Sequence, residues 1–231
     1  MEGAGISRTS ITGGKMGDFS HEATIQISHV TKSFGNITVL HEISMELVSG
    51  HIYGLVGRNG SGKSVLMKLI SGFLCPDSGT ILVNGRNPFG NSNLADDMGI
   101  LIEEPGYFPQ YTGLQNLKAF ASVRASITEA EIRDTLKIVG LDPDLKKKVC
   151  NYSMGMKQRL GIAQAIMEKQ QILLLDEPMN GLDNTGVVEM RTLFLNKKKQ
   201  GSLIILASHN AEDIRILCDH IYMLDAGKMS E

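Results

Sequence analysis

The sequence predicts an α/β domain with a helical lobe inserted into it. Three observations predict it. A glycine-rich segment, Gly57-Arg58-Asn59-Gly60-Ser61-Gly62-Lys63-Ser64, lies between a buried-strand pattern at 51–56 and a breaker-free run at 65–70 that opens a helix. Two further apolar runs, 171–175 and 203–207, have the continuous hydrophobicity of strands covered on both faces. Between about 107 and 168 the texture turns helical.

In chain order, residues 1–22 are rich in Gly, Ser and Thr and show no periodicity. They read as a disordered or expression-derived tail outside the domain, which fills 23–231. Thr24-Ile25-Gln26-Ile27 alternates as a strand does. A second strand is predicted over 39–48, and Ser49-Gly50 turns the chain into the strand that feeds the glycine loop. Another strand covers 80–83 and stops at Asn84-Gly85. These early strands form an antiparallel β part. Inside the lobe, Thr128-x-x-Glu131 is a capping box, Ile132, Leu136 and Val139 share one face, and Gly140 stops the helix. Ser153 is a good N-cap for a helix running to about Met167. A last strand is read at 221–224, with Asp225-Ala226-Gly227 as its turn. No internal repeat is visible.

Composition sets limits on function. Of 231 residues, 42% are hydrophobic, enough for one large domain. With 23 basic against 25 acidic residues there is no basic excess to meet nucleic acid. The Lys146–Lys148 and Lys197–Lys199 runs read as solvated helix ends. Cys75, Cys150 and Cys218 are odd in number and far apart, as reduced cytosolic thiols are. No apolar run approaches a membrane span, and the N-terminus lacks the apolar core of a signal peptide, so the chain is expected not to be exported.

Two motifs carry the chemistry. Strand, glycine loop and helix in that order build a phosphate-binding loop, because successive N–H groups point into one concavity at a helix N-terminus. Lys63 is placed to neutralise the β- and γ-phosphates of a nucleotide, and the Ser64 hydroxyl to sit on Mg²⁺. The second motif, Leu173-Leu174-Leu175-Asp176-Glu177-Pro178, brings two acids to the end of an apolar strand. Either the strand ends in an exposed acidic turn, or the acids serve a cation and a proton. In the latter case Asp176 holds Mg²⁺ and Glu177 polarises an attacking water.

Together these motifs resemble the nucleotide-binding subunit of an ATP-binding cassette (ABC) transporter, from about Ala23 to the C-terminus. The resemblance implies a P-loop α/β core of the ABC ATPase type. It also marks Tyr152-Ser153-Met154-Gly155-Met156 as the family's signature segment, where Ser153 and Gly155 fit the pattern and Met154 and Met156 replace the usual Gly and Gln. Read from the residues alone, that segment is a capped helix with or without an anion on it. The resemblance further implies that Asp183, in Gly181-Leu182-Asp183, lies on the loop linking two active sites. It makes His209 the switch histidine that orients Glu177 and water, and has Phe34 stack on adenine, although Phe34 suits a core position equally. Glu103 falls where the family carries a Gln near Mg²⁺; it keeps an oxygen ligand and adds a charge. The segments at 99–105, 111–117 and 152–159 are similar to the bacitracin and lantibiotic export, immunity and resistance branch.

The implied function is ATP hydrolysis, with ATP and Mg²⁺ as cofactors, powering a separate integral membrane permease. In that arrangement two cassettes, as a homodimer, close head to tail. The subunit is cytoplasmic and peripheral on the inner face of the membrane, with no nucleic-acid partner. Two other classes compete: a soluble ABC-type ATPase acting on ribosome or DNA, and a non-hydrolytic ATP-binding module. A single cassette without coiled-coil insertions opposes the first, and Glu177 together with His209 opposes the second.

Overall fold

The computed structural model describes residues 22–89, 98–103, 106–123 and 127–230. Apart from Glu22, the tail read at 1–22 lies outside the described residues, as do Glu104 and Pro105. In chain order the elements are β1 (Thr24–Phe34), β2 (Ile37–Val48), β3 (Ile52–Val56), α1 (Lys63–Ile70), β4 (Ser78–Val83) and β5 (Met98–Leu101). There follow α2 (Gly113–Ala121), α3 (Glu129–Ile138), α4 (Met154–Ile166), β6 (Ile172–Asp176), α5 (Asn184–Lys199), β7 (Leu203–Ala207), α6 (Ala211–Leu217), β8 (His220–Asp225) and β9 (Lys228–Ser230).

Two sheets result. The antiparallel one has the order β2-β1-β4, and the larger one has the order β5-β6-β7-β3-β8-β9, parallel except where β9 pairs back on β8. The mixed α/β architecture with an early antiparallel part and an inserted helical lobe is thus the one the sequence predicts. β1 runs well past its predicted four residues. A register shift between Ile27 and Val30, with His29 at a φ of 50°, breaks the alternation there, and pairing resumes as far as Phe34.

Strand alternation divides the core into two. Ile172 and Leu174 of β6, with Leu203, Ile205 and Ala207 of β7, face the antiparallel sheet and α1. Leu173 and Leu175, with Ile204 and Leu206, face α4, α5, α6 and the helical lobe. Burial on both faces explains why these strands read as unbroken apolar runs. In the lobe, Thr128 and Glu131 close the predicted capping box at α3, and Lys169 followed by Thr128 draws the Glu131 carboxyl down to about 2. α2 carries a second box, Thr112 with Gln115.

The lysine run at the end of α5 is less solvated than the sequence suggests. Lys198 pairs with Asp219 at 2.8 Å, and burial pushes the Lys197 pKa down. The three cysteines are free, and burial holds the Cys218 thiol up at about 12.

Candidate active site

β3 delivers the chain to Gly57, where a Cβ would stand 2.2 Å from the Leu224 carbonyl of β8. Only glycine lets the loop begin so close to a neighbouring strand. The loop closes at Gly62, left-handed at a φ of 106°, which caps α1. Lys63, the first residue of that helix, is buried, and its Nζ donates to the carbonyls of Gly57 (2.8 Å) and Arg58 (3.1 Å). Its ammonium therefore lies across the loop that it follows, while Arg58, Asn59 and Gly60 are exposed at the rim.

The next residue, Ser64, donates from Oγ to Asp176 Oδ2 at 2.5 Å. Asp176 ends β6, and Glu177 turns the chain with a left-handed φ of 48°. For a side chain other than glycine that backbone costs on the order of 1–3 kcal/mol, and three hydrogen bonds hold it. The Glu177 N–H donates to Ala207 O (2.9 Å), and its carbonyl accepts from Asn180 N (3.1 Å) and Gln158 Nε2 (3.2 Å). The carboxylate is thereby presented to the end of β7. There Oε1 accepts from the His209 backbone N–H at 3.0 Å and lies 2.8 Å from His209 Nδ1. A carboxylate at Nδ1 fixes both the tautomer and the orientation of the ring.

Lys63, Ser64, Asp176 and Glu177 line one cleft of about 720 Å³ that runs from Phe34 to Met154, while Gly57, Arg58 and His209 lie outside its lining. Phe34 is half exposed at one end, with Lys32 Nζ 5.5 Å from its ring centre, so it is not a core residue. Glu103 lines the cleft too, but its Oε1 accepts from Lys68 Nζ at 2.6 Å. Ser153, Gly155 and Asp183 are not among the lining residues. Ser153 caps α4, accepting from Met156 N at 3.2 Å, and Asp183 caps α5, accepting from Gly186 N at 2.9 Å. Gly155 approaches the 181–183 loop so closely that a Cβ would meet Gly181 O at 2.8 Å.

The cleft therefore offers backbone donors and an ammonium for phosphate, an aromatic face for a base, and a carboxylate braced by an imidazole. Its candidate metal donors are all oxygens, Ser64, Asp176 and Glu103, which suits a hard cation. Mg²⁺ is held by one or two carboxylates together with substrate phosphates, and that donor set fits it.

Comparison with known proteins matches the ABC transporter family model to residues 40–180. The chain belongs to the ABC transporter family. Its relatives include an uncharacterised ABC transporter ATP-binding protein, YybJ, of Bacillus subtilis, 40% identical over 89% of this chain and 94% of the relative. The bacitracin transport ATP-binding protein BcrA of Enterococcus faecalis is 38% identical over 91% of this chain and 69% of its own length. The lantibiotic transport ATP-binding protein SrtF of Streptococcus pyogenes is 35% identical over 89% and 88%. Among solved structures, the ATP-binding subunit of an ABC transporter superposes with a TM-score of 0.80 at 24% identity, covering 89% of each chain. That likeness shows the fold. This ABC cassette is thus an ATP-binding subunit and an ATPase.

The sequence does not point to Gln158, Asn180 or Lys68. Gln158 and Asn180 hold the Glu177 carbonyl, and Lys68 occupies Glu103. Lys68 follows Ser64 by one helical turn, which is the signal that could have found it. The contacts to the Glu177 carbonyl depend on a backbone turn that no side-chain pattern announces.

Proposed function

We propose that the cassette hydrolyses MgATP between two head-to-tail copies of itself and powers a membrane permease that exports or confers resistance to bacitracin- or lantibiotic-like peptides. The observation that carries the catalytic part is the Glu177 carboxylate, held by His209 in the same cleft as Lys63, Ser64 and Asp176. In this reading the 57–64 loop binds the phosphates, with Gly57, Arg58, Asn59, Gly60, Ser61 and Gly62 lending backbone and Lys63 its charge. Ser64, Asp176 and Glu103 would hold Mg²⁺, which supplies further charge neutralisation at the β- and γ-phosphates. Glu177 takes the proton of the attacking water, and His209 keeps the carboxylate in place.

Phe34 stacks on adenine. The partner copy brings its Ser153 and Gly155 to the γ-phosphate and its Asp183 loop alongside. A second helix N-terminus there would exclude water and add electrostatic stabilisation that an open loop cannot. The peptide branch is supported by BcrA and SrtF, whose names specify bacitracin and lantibiotic transport. Membrane association would run through the permease, since no described helix is long and apolar enough to cross a membrane.

The test is Glu177→Gln. ATP affinity is expected to persist while turnover falls ~10²-fold or more, and cells carrying the permease should lose peptide resistance. A wild-type hydrolysis rate would remove Glu177 from the chemistry. Full resistance in cells despite lost hydrolysis would remove the transport assignment.

A further inference from the structure

His209 is 66% exposed, so packing does not hold its ring. Its position depends on the backbone from Ser208 to Asn210, between the end of β7 and the start of α6. β7 is locked into the sheet, with every residue buried. α6 has only seven residues, Ala211–Leu217, too few to persist without tertiary anchors. Besides its Asn210 cap and two buried apolar residues, it has one unusual anchor. Asp213, in its first turn, is 1% exposed and is the only buried carboxylate among the described residues.

Its partner is Arg191, two turns along α5 from the Asp183 cap and itself only 12% exposed. Arg191 Nε and Nη2 both donate to Asp213 Oδ1, at 2.8 and 2.5 Å, and Nη2 also reaches Glu212 Oε2 at 3.0 Å. Asp213 Oδ2 is buried with no hydrogen-bond partner among the described residues. A buried ion pair with an oxygen left over is a poor way to gain stability, and an apolar pair of similar volume often does as well. What this pair adds is direction. A planar guanidinium fork fixes the angle at which α6 leaves the sheet.

We infer that Arg191 and Asp213 are positioning residues for catalysis. By tying the first turn of α6 to α5, they hold His209 against Glu177 and link that contact to the loop that begins α5. The inference rests on the roles proposed above for Glu177 and His209.

The test is a cycle of purified variants: Arg191→Met with Asp213→Leu, His209→Ala, and all three changes together. The apolar pair should keep ATP affinity and KM within about twofold and melt cooperatively, while kcat falls roughly tenfold or more, as misplaced catalytic groups cause. In the His209→Ala background the same pair should change kcat little, because what it positions is already gone. Equal losses in both backgrounds would show a merely structural pair and overturn the inference. A wild-type rate for His209→Ala would instead overturn the role of His209, which fails separately. If the apolar pair does not fold, Arg191→Lys takes its place. It keeps the charge without the fork and should lower kcat about threefold, again only when His209 is present. A wild-type kcat for Arg191→Lys, or a loss that ignores His209, would overturn the inference.

Discussion

The two ends of the cleft are built differently. At the phosphate-loop end the charged groups are engaged inside the chain: Lys63 on two loop carbonyls, Ser64 on Asp176, and Glu177 on His209. At the α4 end, Met154 lines the cleft and is 66% exposed, while Ser153 and Asp183 stand outside the lining and serve as caps. The first end has its charged groups brought together by contacts within one chain. The second is a firmly positioned helix terminus that presents its surface outward, as half of an interface would. A substitution at the first end should therefore damage binding or chemistry in its own chain, and one at the second should damage what that chain contributes to another.

The largest expected effect that sharpens this contrast is at Lys63. Lys63→Ala leaves the phosphate charge facing backbone dipoles alone. Loss of a charge-assisted hydrogen bond is worth 1.5–3 kcal/mol, so ATP affinity should fall about 10–100-fold in a nucleotide titration. Unchanged affinity would break the assignment of this end.

Glu103 lies between the two regimes, on the cleft yet paired outward to Lys68. Glu103→Ala should leave ATP affinity nearly intact and lower peptide transport on the order of tenfold, the scale seen when outer-shell metal partners are removed. Glu103→Gln, which keeps an oxygen ligand, should retain far more transport. Equal damage from both changes would separate Glu103 from the metal.

The smallest effect is at Phe34. Phe34→Ala should weaken ATP and GTP together by about 2–10-fold, since an aromatic contact is worth 0.5–1.5 kcal/mol and stacking reads the base poorly. Selective loss of ATP alone would mean a base-specific contact in place of stacking.

The phosphate-loop end was legible in the sequence because its chemistry is written in contiguous residues. Glycines, Lys63 and Ser64 follow a strand pattern, and Asp176 and Glu177 end another. Unbroken apolar runs likewise marked the central strands, and alternation marked the start of β1 until a bulge near His29 shifted the register and hid its second half. What stayed hidden depends on contacts between distant segments. Gln158 reaches the Glu177 carbonyl across 19 residues and Arg191 reaches Asp213 across 22, with nothing local to mark either. Asp183, placed by resemblance on the loop linking two active sites, is also the cap of α5, which its sequence neighbours did not announce.

The most direct measurement mixes two inactive proteins. Lys63→Ala cripples the phosphate-loop end, and Ser153→Asp places a negative charge where the partner's γ-phosphate would lie. If each site joins one chain's 57–64 loop to the other's α4 terminus, a mixed pair holds one site damaged twice and one intact. ATP hydrolysis by the mixture should then rise clearly above that of either variant alone. A mixture as inactive as its components would contradict a site shared head to tail and confine the chemistry to one chain.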